Sequence, residues 1–411
     1  MEPMPTELLL QIFEYVDGPA PSDTRLHDQP TIDLLTSGPE YSKRPLKAIS
    51  RVSRLWRSLV LPSLFRHIVW MPEVYSLTAF TLNPLPLLRF LSDNNLAHRV
   101  ATLALVIEFY DPAARDRQIS PEICSDDLKW LWDLIFSIID PVRFTILARP
   151  TTLAALTSSV VDLDDAWIFD TPYHILSFAR TPHREGTESD GPSGSASADA
   201  RPATQTVSSE SPPVAFSSSR SRTPLFTIRP WTSILLNEGS SAKVYHVYEF
   251  YTHTPPSILS ALLGTEDYAG PGPLIPKTVV DFNYIAVFPL SSHFSNLLHR
   301  LPRIDRLFVQ LSPKPGNEIL EDRQEMRHIN PSDWWLERDE SYAHLMKQLT
   351  RRDNPQTNWN LLQVFESGDA VNKETWDMLV AYLGKVRQQK QWKVERQGVF
   401  SRITQNGEST I

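Results

Sequence analysis

The side chains able to do chemistry fall into a few groups. Asp162, Asp164 and Asp165 stand close together in VVDLDDAWIF, and hard carboxylate oxygens suit Mg²⁺ or Ca²⁺. The run also has the composition of a solvated turn ahead of a strand, and that is the reading it receives. His246, Glu249 and His253 in HVYEFYTH are spaced to share one face of a helix. The Val, Tyr and Phe around them favour a strand, and HExxH is absent. Cys124, in PEICSDDL, is flanked by acids, which disfavour the thiolate a nucleophile needs. No GxGxxG, GxxxxGK[ST] or GxSxG occurs, so nucleotide-driven and hydrolase chemistry lack their usual loops. The expectation is a non-enzymatic chain with no catalytic residue, metal or cofactor. Trp334 and Trp335, capped by Ser332 or Asp333, are expected to open a helix and pack in a core. The basic run Lys385, Arg387, Lys390, Lys393 and Arg396 around Trp392 reads as a solvated helix face rather than a nucleic-acid surface.

The bulk composition agrees with a folded interaction protein. The 411 residues are 41% hydrophobic and 10% aromatic, enough to build a full core. A net charge of −8 argues against a chain-wide nucleic-acid footprint. One cysteine excludes an internal disulfide and a cysteine-based zinc site. Glu2, Glu7 and the short apolar run at Leu8–Leu10 are unlike a secretory signal. No apolar run long enough to span a bilayer occurs, so no membrane partner is expected, and the cytoplasm, the nucleus or both are the expected location.

The elements that must position any site alternate in type. VATLALVIEF (100–109), VRFTILA (142–148), VVDFNYIAVF (279–288) and RIDRLFVQL (303–311) read as strands, as do the runs at 224–228, 244–250 and 360–365. Helical patterns fall at 127–140, 257–263, 293–301 and 373–388. Residues 181–223 are rich in Ser, Pro, Gly and Ala and are expected to be disordered. Segments 87–109 and 293–311 each run from an apolar helix through a polar turn into an L-x-L-type strand. This resembles the grammar of leucine-rich-repeat-like units, in which each repeat adds a strand to a curved parallel sheet. The expected fold class is mixed α/β: a first part over 71–180 and a second over 224–400 of one irregular helix-and-strand domain, interrupted by the loop, with a generic α/β domain as the alternative.

At the N-terminus, Pro5, Leu8, Leu9, Ile12, Phe13 and Val16 outline an amphipathic helix with Glu7 in its first turn. The pattern resumes at Pro45 with Leu46, Ile49, Val52, Ser53, Trp56, Leu59 and Val60, opposite Lys47, Arg51, Arg54 and Arg57. Leu61-Pro62 is expected to end or kink this helix, and Leu64, Phe65, Ile68 and Val69 open a third segment. Three such short elements bury their own faces poorly.

The wording MPTELLLQIFEYV, then PLKAISRVSRLWRSLVLPSLFRHIVW, closely resembles the F-box, especially its filamentous-fungal form, over residues 1–70. The resemblance implies a trihelical module that docks on the Skp-type adaptor, and through it the cullin, of an SCF ubiquitin ligase. The rest of the chain would hold an unidentified target protein for degradation. The adaptor-facing candidates it implies are Pro5, Leu8, Leu9, Ile12, Phe13, Leu46, Ile49, Val52, Ser53, Trp56, Leu59, Leu64 and Phe65. The departure is a long insertion at 17–44, Pro-rich and expected to be a surface loop, which costs little in closure entropy. The other reading is a protein-interaction scaffold without a ligase role, whose N-terminal helices serve only the fold.

Overall fold

The computed structural model describes residues 4–36, 45–72, 82–108, 125–164, 166–169, 173–181, 224–265, 272–320, 329–350, 357–385 and 392–403. In chain order its main elements are α1 (Thr6–Val16), α2 (Pro21–Thr24), α3 (Pro45–Ile49), α4 (Arg54–Leu64), β1 (His67–Trp70), α5 (Leu85–Asp93), β2 (Thr102–Val106), α6 (Ser125–Ile138), β3 (Arg143–Ala148), α7 (Pro150–Thr157), α8 (Ala166–Phe169) and β4 (His174–Ala179). Then follow β5 (Ser233–Ser240), α9 (Leu259–Leu263), β6 (Asp281–Val287), α10 (Ser291–His299), β7 (Arg306–Gln310), α11 (Pro331–Thr350), β8 (Val364–Ser367), α12 (Lys373–Lys385), β9 (Trp392–Arg396) and β10 (Val399–Arg402). The chain is mixed α/β, as its alternating patterns predict.

The ten strands among the described residues form one sheet, and β1 to β8 lie in sequence order. Pairing is parallel from β1 to β3 and from β5 to β8. β4 runs antiparallel to both neighbours, and a terminal β9–β10 hairpin joins β8 antiparallel through β10. Strictly sequential parallel strands are what stacked helix–strand units produce. The reversed β4 and the hairpin are departures from a regular repeat.

The registers align side chains into rows that alternate between the two faces. Ile68, Leu103, Phe144, Phe178, Ile234, Phe282, Leu307, Phe365 and Phe400 form one unbroken apolar row. With Leu105, Ile146, Leu176, Leu236, Tyr284 and Val309 they pack against α5, α6, α7, α9, α10, α11 and α12 in the main core. The helices therefore cover one face. The opposite face is mixed: one row runs Thr102, Arg143, Ala179, Ser233, Asp281 and Arg306, and another runs Val106, Leu147, Ile175, Asn237, Ile285 and Gln310.

That second face carries the main correction to the sequence reading. Residues 17–36 are not a loop in solvent but a strap lying on the sheet, with Leu26, Leu34 and Leu35 buried against Ala104, Val106, Leu147, Ile175, Leu235, Ile285 and Phe308. Half the sheet face offers apolar side chains with no helix over them, and the insertion supplies the cover.

Smaller corrections concern individual elements. HVYEFYTH forms 3₁₀ turns at Ala242–His246 and Phe250–Thr252, not a strand, and Pro224–Phe226 is also 3₁₀. The basic C-terminal run is partly strand: Lys393 and Arg396 lie on β9. The helix expected from Pro45 breaks at residues 50–53, where the Ser53 hydroxyl accepts from the Trp56 N–H at 3.1 Å and starts α4 afresh. That helix runs through Pro62 to Leu64, and Ile68 and Val69 belong to β1. The helix bearing Trp334 begins at Pro331, with the Asn330 side chain accepting from the Ser332 N–H at 3.2 Å. Trp334 is buried and stacks on Phe288, while Trp335 is half-buried beneath Arg338. Cys124, Asp165, Arg387, Lys390 and the Ser-rich stretch 182–223 lie outside the described residues.

Candidate functional site

The N-terminal module closes a small core of its own. Leu9 and Phe13 of α1, Leu46 of α3 and Val60 of α4 are buried together, with Ile49, Trp56, Leu59 and Leu64 packed half-buried around them. Phe13 and Trp56 meet edge to face at 5.5 Å. The period of α1 sends Leu9 and Phe13 inward and leaves its flanking positions outward. Leu8 (48% exposed) and Ile12 (45%) stand in solvent, joined by Met4 and Tyr15, and Val52 (63%) and Leu55 (56%) project from the corner between α3 and α4. Lys47, Arg51, Arg54 and Arg57 are exposed around that corner. Pro5 precedes α1 and is exposed, and Phe65 packs on Phe90 at 5.0 Å, at the joint with the main domain.

The thirteen candidate residues therefore divide by role. Leu9, Phe13 and Leu46 serve the module's interior, and Ser53 serves as a helix cap. Leu8, Ile12 and Val52, with Pro5, are exposed and available to a partner, and Phe65 serves the joint with the main domain. Trp56, Ile49, Leu59 and Leu64 lie between these roles, each half-buried.

The strap ties this module to the sheet. Ser22 donates to Thr102 at 3.3 Å, Arg143 pairs with Asp23 at 3.1 Å, and Lys314 pairs with Asp28 at 2.8 Å. Buried Asn237 donates from Nδ2 to the carbonyls of Leu26 and Asp28, both at 2.8 Å, and accepts the Gly239 N–H at 3.0 Å. Gly239 has φ +73°, and a Cβ there would press on Pro30 at 3.3 Å. His27 lies on the Phe308 ring at 4.6 Å. Burial, with the Lys314 ammonium adding to it, lowers its pKa to about 4. The strap thus crosses from β2 to β7 and returns, its limbs joined by Arg25 donating to the Leu34 carbonyl at 2.9 Å.

A second constellation lies at the carboxyl end of β5. The buried Glu238 carboxylate accepts from Tyr284 Oη at 2.7 Å, from His293 Nε2 at 3.0 Å and from the Ser257 hydroxyl. Burial alone would raise its pKa, but the His293 charge and these donors outweigh burial and hold it at about 2. His174, buried nearby, is lowered to about 4 by burial. Ser257 also accepts the Leu259 N–H at 2.9 Å. Its proton is directed at the carboxylate, so the group pins α9, α10, β5 and β6 together. Asp369 does the same farther along, accepting from the Leu311 and Ser312 N–H groups at 2.7 and 3.0 Å and from Tyr342 Oη at 2.6 Å.

Asp162 and Asp164 form an exposed turn, the Asp164 N–H donating to Asp162 Oδ1 at 3.1 Å. Among the described residues no group of His, Cys, Asp and Glu could hold a metal ion, and no helix is long and apolar enough to cross a membrane.

No family model matches the chain, and no curated protein and no solved structure is significantly similar to it.

The strap and the Glu238 cluster were both missed in the sequence. The strap's apolar residues follow no period, and the cluster's partners lie 19, 46 and 55 residues downstream of Glu238. The Asn237-Glu238-Gly239 turn wording was the one available signal.

Proposed function

We propose that the chain is a non-catalytic adaptor that docks on a Skp-type protein, and so on a cullin ligase, through α1 and the α3–α4 corner, and offers the sheet domain to a target protein. The observation that carries this reading is the exposed apolar set Leu8, Ile12, Val52 and Leu55 on a module whose own core is already closed. Such a patch beside a basic rim has no role in the fold and suits an apolar groove on an acidic partner. α4 runs into β1 through residues 65–66, and the strap adds a second tie, so a partner on the helices would be held firmly relative to the sheet.

Co-purification with a Skp-type adaptor tests this. Ile12→Glu with Val52→Glu alters only exposed positions. It is expected to weaken adaptor capture by about a hundredfold, taking about 1.4 kcal/mol per lost anchor. A wild-type chain that captures no adaptor, or a double variant that captures it equally well, removes the ligase reading and leaves the scaffold.

A further inference from the structure

The amino ends of β6, β7 and β8 border a cleft of about 600 Å³ with an uneven distribution of charge. Its lining includes Leu263, Ile275, Leu298, Leu301 and Trp359, and also Lys277, His299, Arg300 and Arg303. No carboxylate is among the described lining residues. The apolar set is largely buried and forms a floor, and the four basic side chains are exposed and form a rim.

His299 and Arg300 sit at the C-terminus of α10, where cations also complement the helix dipole. Lys277 and Arg303 have no such reason, because they come from the separate segments that lead into β6 and β7. The walls are fixed: Trp359 Nε1 donates to the Leu298 carbonyl at 2.9 Å, and Asn358 Nδ2 donates to the Leu301 carbonyl at 2.8 Å. Gly264, at φ +65°, lets Pro273 approach so closely that a Cβ would meet its nitrogen at 2.6 Å. The cleft is thus built from rigidly packed elements, with the exposed cations Lys277 and Arg303, drawn from separate segments, beside an apolar base, a placement that attracts an anion.

We propose that this cleft binds an acidic segment of a partner protein, with its carboxylates meeting the Lys277–Arg303 rim and an adjacent apolar side chain seated on the Leu298–Leu301–Trp359 floor. Arginine forks suit carboxylates in paired hydrogen bonds, and an apolar anchor supplies the contact area that surface ion pairs lack. The binding does not depend on the adaptor reading, since the site lies in the sheet domain.

The test uses the full chain without any adaptor and two fluorescein-labelled heptapeptide pools. Both carry Leu, Phe or Met at the centre; one has Asp or Glu on either side, the other Asn or Gln. The acidic pool is expected to bind at least about tenfold more tightly. That binding is expected to weaken several-fold between about 50 and 200 mM salt, and about tenfold or more in Lys277→Glu/Arg303→Glu. Because both positions are exposed, this variant should keep the wild-type melting temperature and adaptor capture. No binding of the acidic pool, equal binding of the two pools, or unchanged binding in the variant overturns the proposal. A phosphoserine pool that binds about tenfold more tightly than the acidic one reassigns the cleft to phosphate.

Discussion

Asn237→Ala isolates the strap's attachment to the sheet. The side chain is fully buried and makes three hydrogen bonds: two to strap carbonyls and one from the Gly239 amide. Removing it leaves these groups without partners, at about 1–3 kcal/mol for each one that stays dry. The strap does not have to bear the full penalty, because it can lift and hydrate its carbonyls. The cost that survives is therefore about 2 kcal/mol, expressed as easier local opening rather than global unfolding. Arg25 lies in the strap, its guanidinium held by the Leu34 carbonyl and Asp28, so trypsin cleavage after Arg25 reports opening. At about 1.4 kcal/mol per tenfold, the open fraction and the cleavage rate rise about thirtyfold while reclosing outpaces cleavage. Leu35→Ala, which empties a fully buried site on the same face, should accelerate the same cut by at least as much. Cleavage after Arg25 within twofold of wild type in both variants, with the fold intact, would refute the claim that the strap is packed on the sheet.

Acidification should act on the same element. His27 has a folded pKa of about 4 against 6.5 for the free side chain, so the neutral form is favoured in the docked strap. Its contribution is complete above about pH 6.5 and is lost as pH falls towards 4. Hydrogen exchange of the 20–36 amides, corrected for intrinsic rates, should increase across that window in wild type and change less in His27→Phe, which keeps the ring on Phe308. His174 titrates over the same range, so an equal response in both proteins would place the effect there instead. Tyr284→Phe removes one donor from the buried Glu238 carboxylate and should cost about 1.5–3 kcal/mol in urea denaturation. No loss of stability would show that the carboxylate does not depend on that hydroxyl.

Elements with a clear period were legible from residue order alone. The alternation and length of 281–287 and 306–310, and the 3.6-residue spacing of α1, α6, α10 and α12, placed them near their observed bounds. Local wording did not separate the two sides of α1: Leu8, Leu9, Ile12 and Phe13 read as one apolar set, and only packing against α3 and α4 shows that Leu9 and Phe13 turn inward while Leu8 and Ile12 face solvent. β5 was missed although SILLNEGS is rich in aliphatics, because a central strand buried on both faces has no alternation to read. VYHVYEF failed in the opposite sense: β-favouring residues packed as 3₁₀ turns around Tyr245, which donates to the Phe288 carbonyl at 3.1 Å.

What the sequence by itself determined was the class of fold, the amphipathic helices and the wording that resembles an F-box, all products of neighbours within one or two turns. Tertiary structure alone decided that the insertion is a strap, that a buried carboxylate joins β5 to α10, and that Lys277 and Arg303 share a cleft. Each of these depends on groups brought together from distant parts of the chain, and burial and hydrogen-bond satisfaction, unlike period, leave no mark on residue order.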